Sequence, residues 1–335
     1  MKTGILSFTV GGRALALQLE KLLLSQRQVE LCQGKEVKDW CVTHFATVDE
    51  IIFIGAAGIA VRMIAPLIQN KRKDPAVVVL DEKGQWVISL LSGHLGGANE
   101  LARSIAGKIG ASAVITTATD VNHVFAADLF AKKNNLKIMN FQLVKAVSQS
   151  LVNGKQVGFY CENPITGELP GELFWMEKNS GGKEPWICIT MENSRIQEKE
   201  LRLVPQAIVL GFGCRKGSSR KDIETEIFLY LDKYKLALEA VCGIASINLK
   251  KDEPGIVEFC QQQKIPFVTY SAEQLQQVEG DFSTSEFVKK ITGVDNVCER
   301  AALLLGNGGY LAGKKQGGNG ITLAHVRKDW SVEFE

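Results

Sequence analysis

The 335-residue sequence has no CxxC pair, almost no net charge, few prolines and no long apolar run, and each lack removes a class of protein. Its eight cysteines (Cys32, Cys41, Cys161, Cys188, Cys214, Cys242, Cys260 and Cys298) are scattered singly, so neither a zinc knuckle nor a redox dithiol is expected. Reduced thiols that pack as small apolar residues in a cytoplasm are the expectation. Lys plus Arg number 39 against 37 Asp plus Glu, a formal charge of +2, too little for a dedicated nucleic-acid binder. The longest apolar run, Ile51 to Val61, falls far short of the roughly 20 residues that span a bilayer. Gly11, Gly12 and Arg13 interrupt the segment where a signal peptide needs an unbroken apolar core. A cytoplasmic chain with no membrane and no nucleic-acid partner is therefore expected.

What is present is globular: 45% hydrophobic and 23% charged residues, in a chain too long for one ordinary core, so two or three units are expected. Short apolar runs alternate with amphipathic stretches. Strands are predicted at Gly4–Thr9, Glu50–Ile54, Ala76–Leu80, Trp86–Leu91 and Ala113–Thr117, and helices at Arg13–Leu24, Lys35–Phe45, Ile59–Ile68 and Ala98–Lys108. The turn-like run Asp81 to Gly84 joins two of the strands. Helices at Val124–Lys133 and Phe141–Leu151 lead to a looser middle, where strand-like Val157–Cys161 and Trp186–Met191 are interrupted by turns and by the loop Asn179–Glu184.

The rhythm returns with strands Ala207–Gly211, Val241–Ile247 and Pro266–Tyr270, helices Ser219–Tyr234 and Pro254–Lys264, two short helices around Glu286–Ile291 and Val297–Leu304, and a closing hairpin of Tyr310–Ala312 and Ile321–Val326. The fold class is α/β: two α/β domains with largely parallel or mixed sheets, residues 1–135 and 205–335, joined by a loop-rich middle segment, residues 136–204. Ligands are expected at the carboxyl ends of the strands.

The sharpest local pattern runs Ser92-Gly93-His94-Leu95-Gly96-Gly97-Ala98-Asn99, where a strand gives way to a helix. Glycines there let backbone approach a ligand, and free amides at a helix start attract anions. His94 suits general acid–base work near neutral pH. A tight turn capped by His94 is the equal alternative. A second turn, Gly55-Ala56-Ala57-Gly58, carries Arg62 into its helix and suits a carboxylate, although close helix-to-sheet packing explains it alone. The third, Thr116-Thr117-Ala118-Thr119-Asp120, offers hydroxyls and a carboxylate for substrate contact, for orienting His94, or for helix capping. The three turns are expected to converge beside one sheet edge.

In the second half, Gly211-Phe212-Gly213-Cys214-Arg215-Lys216-Gly217-Ser218-Ser219 is the most basic strand-to-helix turn, suited to a polycarboxylate or phosphate but without the order of a Walker loop. Cys214 is read as packing before it is read as a nucleophile. The turn Lys250-Lys251-Asp252-Glu253-Pro254-Gly255 reads first as a helix cap. Substrate contact through Lys251 or catalysis by Glu253 is the second reading. Lys314 and Lys315 read as a solvated hairpin loop.

At SGHLGGAN, GAAGIAVR, TTATD, GFGCRKGSS, SINLKKDEPG and TGVDNVCERAALL, in order along the chain, the sequence resembles the cobalt-precorrin-5A hydrolase family of the anaerobic cobalamin pathway. A departure stands at Ser283-Thr284-Ser285-Glu286, where relatives commonly carry a proline before the serine. The resemblance implies a hydrolase that opens the lactone of cobalt-precorrin-5A and releases acetaldehyde to give cobalt-precorrin-5B. It implies no cofactor, the cobalt arriving within the substrate.

The partner implied is that small molecule, with neighbouring pathway enzymes as possible recipients of product and a dimer left open. Such a ligand is wide, flat, apolar on its faces and anionic at its edge, and a crevice between two α/β domains is expected to suit it. His94, oriented by Asp120, is the expected catalytic group, with amides near Gly96 and Gly97 stabilising an oxyanion. Substrate contacts are expected from Gly55, Gly58, Arg62, Ser92, Gly93, Gly96, Gly97, Asn99, Thr117, Gly213, Cys214, Arg215, Lys216, Lys251 and Glu253. Two rivals stand beside this reading. One is a dinucleotide-dependent oxidoreductase using Asp81, 26 residues after Gly55, which fails on the missing GxGxxG. The other is a non-catalytic corrinoid carrier or scaffold.

Overall fold

The computed structural model describes residues 1–33, 37–70, 73–178 and 180–334. The predicted opening of the Lys35–Phe45 helix and Asn179 at the head of its loop lie outside the described residues. The chain forms two compact units, Met1–Leu129 and Phe130–Glu335. No helix among the described residues is long and apolar enough to cross a membrane.

The first unit is built on a six-stranded sheet. In chain order it comprises β1 (Lys2–Ser7), α1 (Val10–Leu23), β2 (Gln28–Gln33), α2 (Val37–His44), β3 (Glu50–Ile54), α3 (Ala57–Ile64), β4 (Ala76–Leu80), β5 (Trp86–Leu91), α4 (Ala98–Ile109), β6 (Ser112–Val114) and α5 (Ala118–Val121). The strand order is β2-β1-β3-β4-β5-β6. The sequences EIIFI and AVVVL of β3 and β4 are buried along their whole length, as strands covered on both faces require.

Their alternation divides the core in two. Ile52, Ile54, Val78 and Leu80 pack with Leu15 and Leu19 of α1 and Leu101 and Ile105 of α4. Ile51, Phe53, Val77 and Val79 pack with Cys41 of α2 and Ala60 and Ile64 of α3. Burying a side chain such as Phe53 contributes about 1.5–3 kcal/mol. Helix α1 starts where the Thr9 hydroxyl accepts from the Gly12 amide, and α4 lies between Gly97 and Gly110, both at positive φ.

Four strands of this sheet run parallel, but β5 pairs antiparallel with β4, Val77 facing Leu91 and Leu80 facing Val87, and β6 follows β5 in parallel. The cause is the tight turn of Asp81 to Gly84. The Asp81 carboxylate accepts from the amides of Lys83, Gln85 and Trp86, and Gly84 takes positive φ.

In the second unit α6 (Ala127–Lys133), which begins in the first, leads to β7 (Leu136–Ile138), α7 (Gln142–Val152), β8 (Val157–Cys161), β9 (Ile165–Thr166), β10 (Leu173–Trp175), β11 (Trp186–Ile189) and β12 (Glu200–Pro205). The middle is loop-rich, and it also carries a five-stranded sheet of order β10-β8-β11-β12-β7, more strand than the sequence reading assigned. The chain continues through β13 (Ile208–Cys214), α8 (Arg220–Lys233), β14 (Val241–Ile247), α9 (Pro254–Gln263), β15 (Phe267–Tyr270), α10 (Ala272–Gln276), α11 (Glu286–Thr292), α12 (Cys298–Gly306), β16 (Tyr310–Gly318), β17 (Ile321–Arg327) and β18 (Val332–Glu333). A third sheet has the order β15-β14-β13-β17-β16, parallel on the β13–β15 side and antiparallel across β17. Its glycines allow close approach: a Cβ on Gly211 would fall 1.7 Å from the Cys298 carbonyl oxygen, so α12 lies directly on β13.

Candidate active site

The strand reversal decides which predicted residues meet. The Gly55 turn follows β3, and its amide donates to Leu80 at the far end of β4. The Ser92 turn follows β5 and lies at the start of β4, where the Ser92 hydroxyl donates to the Asp74 carbonyl. The two turns therefore sit at opposite edges of the sheet, separated by a five-residue strand of roughly 16 Å. The expected convergence of three turns is corrected to two: the Ser92 turn meets the Thr117–Asp120 segment, and Gly55, Gly58 and the exposed Arg62 belong to another place.

At the Ser92 edge, the His94 Nε2 is 2.8 Å from Asp120 Oδ2, and the Thr119 hydroxyl lies 3.0 Å from the same nitrogen. On the other side of the ring, Nδ1 is 3.4 Å from Asp128 Oδ1. Asn99 donates to Asp120 Oδ2 at 2.9 Å and to Thr117 Oγ1 at 3.1 Å, and the Ser89 hydroxyl fixes its other end at 2.6 Å. Arg103 donates to Asp120 Oδ1 at 2.6 Å.

Both ring nitrogens of His94 face carboxylates, which favours the doubly protonated imidazolium. The contact with Asp128, the more buried of the two acids, raises the His94 pKa most. Burial opposes it, and Asp120 adds to it. Burial pushes both carboxylates up, but Arg103 and His94 hold Asp120 below the ordinary range, and His94 with the Leu129 amide holds Asp128 there.

The loop's glycines are spaced for the loop itself. A Cβ on Gly93 would stand 2.7 Å from Asn99 Oδ1, and one on Gly96 2.4 Å from the Ser92 Cβ. Ser92 takes φ 57°, a left-handed conformation rare for serine. The Gly97 amide donates to the His94 carbonyl at 2.9 Å, so of the two amides expected to hold an oxyanion only that of Gly96 has no partner among the described residues. Sequence reading missed Asp128 and Arg103, whereas the Thr119 hydroxyl beside His94 is one of those the Thr116–Asp120 turn offered. Arg103 was findable, because it follows Asn99 by four residues and so shares its helix face. Asp128 stands alone in the apolar run FAADLFA, a weaker signal.

The other predicted cluster surrounds a cavity of about 1120 Å³ in the second unit. Gly213, Cys214, Arg215, Lys216 and Glu253 line it, with Lys250, Asp252 and Lys315. Aliphatic walls come from Ile247, Leu249, Val288, Ile291 and Ile321. Glu253 accepts from the Gly217 amide at 2.6 Å and from Lys250 at 2.8 Å. Burial alone would raise its pKa, but those two donors lower it. Glu253 is thus a clamp between two loops, its oxygens both engaged.

Burial pushes the Cys214 thiol up, which suits packing better than nucleophilic attack. Lys251 does not line this cavity; it lines a smaller hollow with Lys264 and Phe267. Asp81, the ribose-binding candidate, is occupied in closing its own turn. Among the described residues no cluster of three or more His, Cys, Asp or Glu is placed to hold a metal ion.

The cavity is a little larger than the usual range for small ligands and is lined by both aliphatic and cationic side chains, as in an α/β protein that takes a small-molecule ligand. The chain belongs to the cobalamin synthesis G family. Residues 39–120 match cobalamin synthesis G N-terminal, residues 125–205 the cobalamin biosynthesis central region, and residues 208–326 cobalamin synthesis G C-terminus. The cobalt-precorrin-5A hydrolase of Salmonella typhimurium is 41% identical over 289 residues, which are 83% of this chain and 82% of that protein. The cobalt-precorrin-5A hydrolase of Priestia megaterium is 33% identical over 302 residues, 85% of this chain and 80% of its own. The solved structure of CobE, a protein from the cobalamin biosynthetic pathway, covers 38% of this chain and 94% of its own at 28% identity and a TM-score of 0.35.

Proposed function

We propose that this chain hydrolyses the lactone of cobalt-precorrin-5A and releases acetaldehyde, giving cobalt-precorrin-5B. The observation that carries the reading is the 41% identity shared with a cobalt-precorrin-5A hydrolase over more than four-fifths of both chains. Water adds to the lactone carbonyl and the acyl–oxygen bond breaks, leaving a carboxylate and a hydroxyl. The hydroxyl proton then departs as its C–O bond becomes the carbonyl of acetaldehyde. The carbon–carbon bond to the macrocycle breaks, and its electron pair enters the conjugated ring, which is protonated.

His94 is the group for these proton transfers. Asp120 fixes Nε2, itself held by Asn99 and Arg103, while the longer contact at Nδ1 is the one a water or substrate oxygen displaces. The imidazolium form serves as acid toward the leaving oxygen, and the neutral ring takes a proton back. The Gly96 amide is the donor for a developing oxyanion. In the second unit the aliphatic walls suit the macrocycle's faces, and Arg215 and Lys216 suit its rim carboxylates. The cobalt belongs to the substrate, and no protein-held cofactor enters the proposal. A cytoplasmic location is part of the same reading, and so are three functional segments, 1–135, 136–204 and 205–335.

The test is an anaerobic incubation of the purified protein with cobalt-precorrin-5A, trapping acetaldehyde and following the macrocycle by mass spectrometry. One acetaldehyde per lactone opened is expected. Bound but unaltered substrate would overturn the hydrolase and make the chain a carrier.

A further inference from the structure

The hairpin lysines, read from sequence as a solvated loop, divide in the structure. Lys314 points outward and pairs with Asp281, both well exposed. Lys315 is half-buried and lines the large cavity. The difference comes from a bulge. Between Gly313 and Gln316, β16 advances three residues while its partner β17 advances two, from His325 to Leu323, so one residue leaves the ladder.

The amide this frees is that of Lys315, and it donates at 2.6 Å to the carboxylate of Glu299, a side chain wholly removed from solvent. Glu299 is held in turn by the Ser283 amide at 3.0 Å and by Asn296 at 2.5 Å. A buried acid with several donors is a rigid anchor. It sets a backbone kink whose side chain faces the cavity, and among the described residues the Lys315 ammonium has no ion-pair or hydrogen-bond partner.

We infer that Lys315 binds a carboxylate of the ligand in this cavity, with Glu299 as the positioning residue that aims it. The inference rests on the reading above that the ligand is a polycarboxylate macrocycle. Lys315 enters the cavity from the β16 side, whereas Arg215 and Lys216 come from the turn after β13, so the two clamps address different parts of the rim.

The experiment is equilibrium binding, by absorbance titration of the full chain, of a stable corrinoid polycarboxylate, cobyrinic acid, and of its fully methyl-esterified form. Turnover plays no part, so a missing hydrolase activity would not disturb this test, nor would its failure refute the hydrolase. Lys315→Met is expected to weaken binding of the acid about tenfold and leave the ester unchanged. Lys315→Arg should keep most of the affinity, and Lys314→Met should stay within about twofold of wild type. Equal affinity of wild type and Lys315→Met for the acid would overturn the inference. So would an equal loss in Lys314→Met, or the same loss for the ester.

Discussion

Glu299→Gln makes a sharp test of how the cavity wall is held, because the amide keeps the size of the side chain and changes only its hydrogen-bond character. Oε1 accepts from the Lys315 amide and the Ser283 hydroxyl, and Oε2 from the Ser283 amide and Asn296 Nδ2. An NH2 group placed at Oε2 would confront two fixed donors. Placed at Oε1, it confronts one, the Lys315 amide, since the serine hydroxyl can rotate to accept.

The second orientation is therefore adopted, and the loss is one hydrogen bond to a charged acceptor, about 1.5–3 kcal/mol, with a donor left stranded. For an unfolding dependence of about 1–3 kcal/mol per molar urea, the midpoint should fall by about 1 M. The assay is urea unfolding followed by fluorescence, with the amide proton exchange of Lys315 as a local readout. A midpoint unchanged within about 0.2 M, with Lys315 as protected as in wild type, would refute the anchoring role.

Three further outcomes are expected. His94→Ala should lower kcat for acetaldehyde release by about 10²–10⁴ while KM changes little, and near wild-type turnover would remove His94 from the chemistry. Replacing Arg215 and Lys216 together by methionine should chiefly raise KM, and an unaltered KM would remove them from the rim clamp. Stability should also follow pH through the His94 group. The folded imidazole holds its proton above the ordinary 6.5, so its contribution is complete below pH 6.5 and is lost as pH rises through the raised value. The two carboxylates, held below 3.8, contribute above that pH and lose it as pH falls through their lowered values. Thermal unfolding of His94→Gln should lack the decline above pH 6.5, and an identical slope in both proteins would contradict the ion-pair account.

Much of the fold was legible because several strands are predominantly apolar runs: β3, β4, β5, β8 and β14 begin and end where the sequence predicts. Two of the strands that escaped are of another kind. QVELCQ in β2 is an edge strand of mixed polarity, and ELRLVP in β12 buries a Glu200–Arg202 ion pair that reads as surface in sequence. The sense of β5 was present in the tight Asp81–Gly84 turn, which leaves no room for a crossover, yet its consequence for the glycine turns needs the register. In the site, His94 and Asp120 share one hydrogen bond, as spacing alone could not establish. Asp128 and Lys315 owe their positions to a helix start and a bulge, features set by tertiary packing rather than by local pattern.

The strand reversal has a consequence for how the cluster around His94 forms. Among the described residues, the side chains hydrogen-bonded or ion-paired around His94 lie between Ser89 and Asp128, with the Asp74 carbonyl and the Leu129 amide as backbone supports on either side. The cluster's parts are joined by short loops along one stretch of chain, so closing them together costs little loop entropy. The imidazole and its acids can thus assemble as a local unit and be carried between sequences as a single segment.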